Sequence, residues 1–151
     1  MLNRETKRLV YIGSDHAGFE MKEQIKTHLE KDYELTDLGC FSEKSCDYPE
    51  IAREVGEKVL EHEGAAGIIL CGSGIGMSMA VNKLKGIRGA LAMNEKMAEM
   101  SRRHNDANVL ALGARENDFE TNKKIVDTFL NTDFEQEEKR HARRVRKINA
   151  M

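Results

Sequence analysis

The chain has 151 residues, enough for one domain with a real core. It is 40% apolar and 33% charged, with a formal net charge of -2, so the molecule as a whole offers no positive field for nucleic acid. No run approaches the roughly 18 apolar residues of a membrane span, and no signal-peptide pattern opens the chain, so no membrane partner is expected and the cytoplasm is the expected location.

Residues 1–7 are polar and read as an extension; residues 8–151 read as the domain. Arg8–Gly13 is a first strand, built on the apolar run Leu9, Val10, Tyr11 and Ile12. Phe19, Ile25 and Leu29 recur at helical spacing and predict a helix over Gly18–Lys31. Tyr33–Leu38 is a second strand, ending at Gly39. Residues 41–48 are polar and loop-like, and Pro49 suits the first position of the next helix. That helix carries Ile51, Val55, Val59 and Leu60 and stops near Gly64. Ala66–Leu70 is a third strand, followed by a glycine turn and a helix reaching about Leu84. Ile87–Met93 is a fourth strand, Glu95–His104 a helix, and Ala107–Leu112 a fifth strand closed by Gly113. Two helices follow, Asp118–Leu130 and the heavily charged Phe134–Ile148.

Strands and helices alternate throughout, and the strands are continuous apolar runs. That pattern predicts a five-stranded parallel sheet buried on both faces, in one doubly wound, Rossmann-like α/β domain with a C-terminal helix. No Gly/Ser/Pro-rich linker or internal repeat divides it.

The chemistry concentrates in Ile68–Met77, read Ile-Ile-Leu-Cys-Gly-Ser-Gly-Ile-Gly-Met. The strand delivers Cys71 to its C-terminal end, where open α/β sheets bind ligands. Gly72, Gly74 and Gly76 let backbone N–H groups approach an oxygen anion. The start of the next helix favours thiolate over thiol. A lone cysteine after a strand is commonly a small buried hydrophobe, but three alternating glycines each weaken the turn unless an unusual backbone is needed. The turn lacks the full G-x-G-x-x-G of a dinucleotide site and the Lys-Ser/Thr of a P-loop.

Asp15 and His16 follow the first strand and fall on the same sheet edge as Cys71. Asp15 alone reads as a helix N-cap. Arg102–Asp106 end a helix before the fifth strand. His104 there reads either as a partner of the helix dipole or, with Asn105, as a proton-handling group. Arg140 and Arg144 lie four apart on one helix face and suit a phosphate, or else a solvated face balanced by Glu135, Glu137 and Glu138. Three cysteines, Cys40, Cys46 and Cys71, argue against a disulfide framework. The Cys40/Cys46 spacing, with no second pair, makes a poor zinc site.

Together these segments resemble the B-type ribose-5-phosphate isomerases, within a wider family that includes galactose-6-phosphate isomerase subunits. The resemblance rests on Gly13–Phe19, Asp47-Tyr48-Pro49, Cys71–Gly76, Asn82-Lys83, Gly86-Ile87-Arg88, Ser101–Asp106, Asn108-Val109-Leu110 and Gly113-Ala114-Arg115. It covers roughly residues 8–146. Ser73 stands where many members have threonine, which keeps the hydroxyl. The N-terminal extension is longer than the family leads one to expect.

The resemblance implies a Rossmann-like fold, a homodimer or homotetramer, no metal or other cofactor, and interconversion of ribose 5-phosphate and ribulose 5-phosphate. It implies Cys71 as the base, His104 as the group that assists ring opening, and Ser73 with the Gly72–Gly76 backbone as the enediolate site. It matches Asp15, His16, Tyr48, Asn105 and Arg115 to ligand-contacting positions, and Arg140 and Arg144 to the paired arginines that hold phosphate. The alternatives are an isomerase of allose or galactose 6-phosphate, or a non-catalytic flavodoxin-like binding domain. Cys71 occupies the position where a phospho-acceptor receiver would need aspartate.

Overall fold

A computed structural model of the chain describes residues 6–151; residues 1–5, most of the expected extension, lie outside the described part. Five strands form one parallel sheet: β1 Leu9–Ser14, β2 Glu34–Asp37, β3 Ala66–Cys71, β4 Gly89–Leu91 and β5 Val109–Gly113. They lie in the order β2-β1-β3-β5-β4. Six helices connect and follow them: α1 Phe19–Leu29, α2 Tyr48–Glu61, α3 Ile75–Val81, α4 Glu95–Arg103, α5 Phe119–Asn131 and α6 Lys139–Asn149. Among the described residues no helix is long and apolar enough to cross a membrane.

The central strands are apolar on both faces because helices cover both. Val10, Ile12, Ile68, Leu70, Leu110 and Leu112 pack against α1, α4 and α5. Tyr11, Ile69, Val109 and Ala111 pack against α2 and α3. Parallel strands need such crossovers, and these place a helix on every face the strands expose. A charged group enters this interior: Lys22 is fully buried, and its ammonium lies 2.8 Å from both Asp37 oxygens.

Most element ends shift by a few residues from the sequence reading, and at four places a side chain takes over backbone bonds. The first helix is preceded by a 3-10 turn over His16–Gly18, capped by Asp15. The helix expected to reach Leu84 stops at Val81, where Asn82 Nδ2 donates to the carbonyls of Ser78 and Gly89. The fourth strand is only three residues, since the Arg88 N–H turns to Asn108 Oδ1 at 2.8 Å. The last helix begins at Lys139, where Glu138 accepts from the Arg140 N–H; Glu135, in the turn before it, is held by Arg103.

The topology fixes where a ligand can sit. From β1 the chain winds outward to β2, then returns past β1 to β3 and continues the other way. The crevice at the C-terminal ends of β1 and β3 is therefore the switch point of the sheet. Asp15 follows β1 and Cys71 ends β3, so both are delivered to that crevice.

Candidate active site

β3 carries Cys71 to the sheet edge with the residue only 5% exposed. The chain then turns through Gly72-Ser73-Gly74 into α3. Gly74 adopts a left-handed conformation, φ +79°, which glycine tolerates and other residues resist. A Cβ there would also lie 2.7 Å from Leu91 Cδ1 and 2.9 Å from the Leu112 carbonyl carbon. In the same turn the Gly74 N–H donates to Cys71 Sγ at 3.1 Å. Ser73 Oγ accepts from the Ile75 N–H at 3.2 Å and so opens α3.

The end of β5 is zipped to this turn. The Ala114 N–H donates to the Cys71 carbonyl and the Arg115 N–H to the Gly72 carbonyl, both at 2.9 Å. Arg115 is thereby held over the turn, with its Cδ and Nη1 3.4 Å from where a Gly72 Cβ would stand. Asp15 performs the capping role expected of it, accepting from the N–H groups of Ala17 and Gly18 at 3.0 and 3.2 Å. Its residue still lines the cleft. His16 Nδ1 accepts from the Cys46 N–H at 3.3 Å, so the neutral ring carries its proton on Nε2.

Two adjoining hollows of about 600 and 490 Å³ share Asp15, Tyr48, Gly72 and Arg115. The first adds Cys71, Ser73 and Gly76; the second adds His16. Tyr48 packs so closely on Gly76 that a Cβ there would meet its Cζ at 2.6 Å. Sequence reasoning missed Ile75, Met79 and Glu116 on one side of the cleft, and Cys46 and Asp47 on the other. Their proximity to Tyr48 and the glycine turn was the only signal available.

His104, Asn105, Arg140 and Arg144 are not in this cleft. His104 caps the C-terminal end of α4, before β5 begins, whereas Cys71 is in register with Gly113 at the far end of β5. The five residues of β5 at about 3.3 Å each separate the two by roughly 16 Å. At that opposite edge His104 stacks on His141 of α6, ring centroids 4.3 Å apart and planes 22° apart. Asn105 is exposed beside it, and Arg140 and Arg144 are exposed on the same α6. Asp106 anchors this corner: its left-handed backbone, φ +48°, directs its carboxylate to Arg102 Nη1 at 2.9 Å and Arg88 Nη2 at 3.5 Å.

His104, Glu135 and His141 have ligand atoms within 4.8 Å of one another, the spacing of a metal triad. The stacked rings lie in nearly parallel planes, a poor arrangement for two in-plane lone pairs to meet at one ion, and Glu135 is already paired with Arg103. A larger hollow of about 960 Å³ near this edge is lined by Asp106, Asp133, Glu135, Glu137 and Glu138. That lining repels a phosphate dianion.

The chain matches the sequence profile of the Ribose/Galactose Isomerase family over residues 10–148. It is 41% identical to ribose-5-phosphate isomerase B of Escherichia coli over 94% of this chain and 95% of that one. The crystal structure of a ribose 5-phosphate isomerase from Thermotoga maritima superposes with a TM-score of 0.90 at 46% identity, covering 95% and 99% of the two chains. Ribose-5-phosphate isomerase B from Mycoplasma genitalium, solved with bound ribulose-5-phosphate, superposes at 0.90 with 40% identity and 97% coverage of both. The chain belongs to the ribose/galactose isomerase family of enzymes.

Proposed function

We propose that this protein interconverts ribose 5-phosphate and ribulose 5-phosphate, with Cys71 as the base. The observation that carries this reading is the buried Cys71 thiol lining the cleft, with the Gly74 N–H directed at its sulfur. The family membership and the M. genitalium relative with its bound ketose support the same substrate class.

The chemistry follows from the reaction's needs. The closed aldose must first be opened, by a proton delivered to its ring oxygen and one taken from O1. The Cys71 thiolate then removes the proton from C2, giving a 1,2-enediolate. Its negative oxygen needs fixed donors. We assign this to the Ser73 hydroxyl and the α3 amides that follow Ile75, because Ser73 and Gly76 line the cleft and the first N–H groups of a helix have no intrahelical acceptor. The same sulfur returns the proton to C1. Asp15, His16, Tyr48 and Arg115 hold the sugar chain.

Ring opening and phosphate binding require a second subunit. In the furanose, C2 and the ring oxygen are both bonded to C1, so two groups acting on them stand within a few ångströms of each other. Cys71 and His104 of one chain lie at opposite ends of β5. His104, Asn105, Arg140 and Arg144 therefore serve the cleft of a partner copy in a homodimer. Ile75 and Met79, 49% and 67% exposed beside the cleft, give such a partner an apolar surface to cover.

The test is isomerisation of a panel of pentose and hexose phosphates, with solvent-deuterium exchange at C2 followed in parallel. Cys71→Ala folds and loses both by on the order of 10²-fold or more. Near-wild-type exchange in Cys71→Ala rejects the base. Turnover of a 6-phosphohexose in preference to ribose 5-phosphate rejects the pentose assignment.

A further inference from the structure

Three arginines meet at the N-terminal edge of the sheet, at the opposite end of β3 from Cys71. Arg8 leads into β1, Arg88 leads into β4, and Arg102 lies in the last turn of α4. Together with Glu63 and Asp106 they line a cavity of about 480 Å³. The cavity reaches Ala65, just before β3, so the six residues of that strand at about 3.3 Å each put it roughly 20 Å from Cys71 of the same chain.

Hydrogen bonds to backbone carbonyls hold the guanidinium groups there. Arg8 Nε donates to the Gly64 carbonyl at 2.8 Å and its Nη1 to the Leu130 carbonyl at 3.1 Å. Arg102 Nε donates to the Thr132 carbonyl at 3.1 Å, two residues further along the same segment. Arg88 Nε donates to the Asp106 carbonyl at 2.9 Å. A carbonyl oxygen orients a guanidinium without cancelling its charge. Among the described residues Asp106 is the one carboxylate bonded to these arginines, at 2.9 Å from Arg102 Nη1 and 3.5 Å from Arg88 Nη2. Glu63 in the lining and Asp133 beside Thr132 are exposed, where water screens them. The Arg88 and Arg102 side chains are only 14% and 11% exposed. The cavity therefore gathers more fixed positive charge than its own carboxylates offset.

We propose that this cavity is a phosphate-binding site, which takes inorganic phosphate or the phosphate group of a small ester between Arg8 and Arg102. The Nη2 atoms of both side chains make no hydrogen bond among the described residues, so each offers two N–H groups to an oxyanion. A phosphate dianion suits them because guanidinium forks match its oxygens, and because it brings more charge than a single carboxylate. The electrostatics agree with the geometry. Burial, and then the charge of Arg102, lower the Arg8 pKa from its ordinary value. Burial chiefly does the same to Arg88, with Arg102 adding to it against Asp106. A bound dianion relieves that repulsion.

The test is calorimetric titration of the full-length protein with inorganic phosphate and, separately, with glycerol 3-phosphate, at low ionic strength in chloride buffer. The parent is Arg140→Ala/Arg144→Ala, which removes the clamp assigned to α6. Phosphate is expected to bind this parent. Adding Arg8→Gln weakens that binding about tenfold or more. Adding Glu63→Gln, which removes a carboxylate from the lining, tightens it about twofold or more. Circular dichroism checks the fold of Arg8→Gln, which loses two carbonyl contacts. Glu63→Gln changes an exposed side chain and decides the matter if Arg8→Gln does not fold. Glycerol 3-phosphate responding to both substitutions in the same way assigns the site to phosphate esters; a response confined to inorganic phosphate assigns it to the free ion. No phosphate binding by the parent, or an affinity that neither Arg8→Gln nor Glu63→Gln alters, overturns the site.

Discussion

The backbone N–H of Gly74 donates to the sulfur of Cys71 across 3.1 Å, and the left-handed φ of Gly74 turns the chain from that peptide into α3. Gly74→Ala must therefore either strain its backbone or shift the turn that holds the N–H on sulfur. The left-handed conformation alone costs roughly 1–2 kcal/mol, and overlap with Leu91 and Leu112 adds to it. Urea unfolding should show at least that loss. The kcat of the folded fraction should also fall about tenfold or more, because the thiolate has lost a fixed donor. A destabilised variant with wild-type kcat would separate the glycine's packing from any role in the chemistry.

Lys22 and Asp37 give a second test, on stability rather than turnover. Burial alone would raise the Asp37 pKa, but hydrogen bonds from Lys22, Lys26 and the Gly39 N–H outweigh it and hold the carboxyl below its ordinary value. Asp37→Asn leaves a buried ammonium without its counter-charge, at a cost of about 3–5 kcal/mol at neutral pH. The depressed pKa sets the direction with pH. The carboxylate's contribution is fully present above its unfolded pKa of about 3.9 and is lost as pH falls through the lower folded value. Denaturant melts of wild type and Asp37→Asn should thus converge below that range and stay apart above it. A gap independent of pH would assign the cost to shape rather than charge.

The sheet was legible because its strands are unbroken apolar runs separated by helical periodicity. The order β2-β1-β3-β5-β4 was not, since nothing in the local pattern of Gly89–Leu91 says that β4 pairs outside β5. Asp15, His16 and Cys71 could be assembled in advance from their places after strands, whereas Tyr48 and Arg115 came only from the family resemblance. Cys46 and Glu116 could not: they reach the cleft through loop geometry, which no periodicity encodes. Asp106 shows the converse. It stands in a segment that reads as chemistry, yet it serves as a structural anchor between Arg88 and Arg102.

His104 should matter more for the ring form than for the open chain. Its ring stacks on His141 at the edge away from Cys71, so the role proposed for it is in a partner's cleft. His104→Asn should impair conversion of ribose 5-phosphate, which must be opened, more than binding of ribulose 5-phosphate, which is no furanose of that kind. Parallel kinetics and product-binding titrations read the difference. Equal loss of affinity for both sugars, with unchanged kcat, would reduce His104 to a packing residue for α6.

Arg140 and Arg144 decide whether two chains share each site. Both are exposed on α6, and no residue of their own cleft lies at that edge. Charge-assisted hydrogen bonds to a phosphate dianion contribute roughly 1.5–3 kcal/mol each. Replacing both by alanine should raise the KM for ribose 5-phosphate at least about tenfold, with little effect on any slow turnover of unphosphorylated ribose. Sharing is read by mixing this double variant with Cys71→Ala. Each homodimer carries a defect in both of its clefts. A hybrid dimer holds one cleft with an intact Cys71 and the intact arginines of its neighbour, and another with both defects. Activity recovered on mixing, in proportion to the hybrid fraction, is the expected result. Confirmed subunit exchange with no recovered activity would place the arginines in their own chain's service, and the separation of His104 from Cys71 along β5 would then need a different explanation.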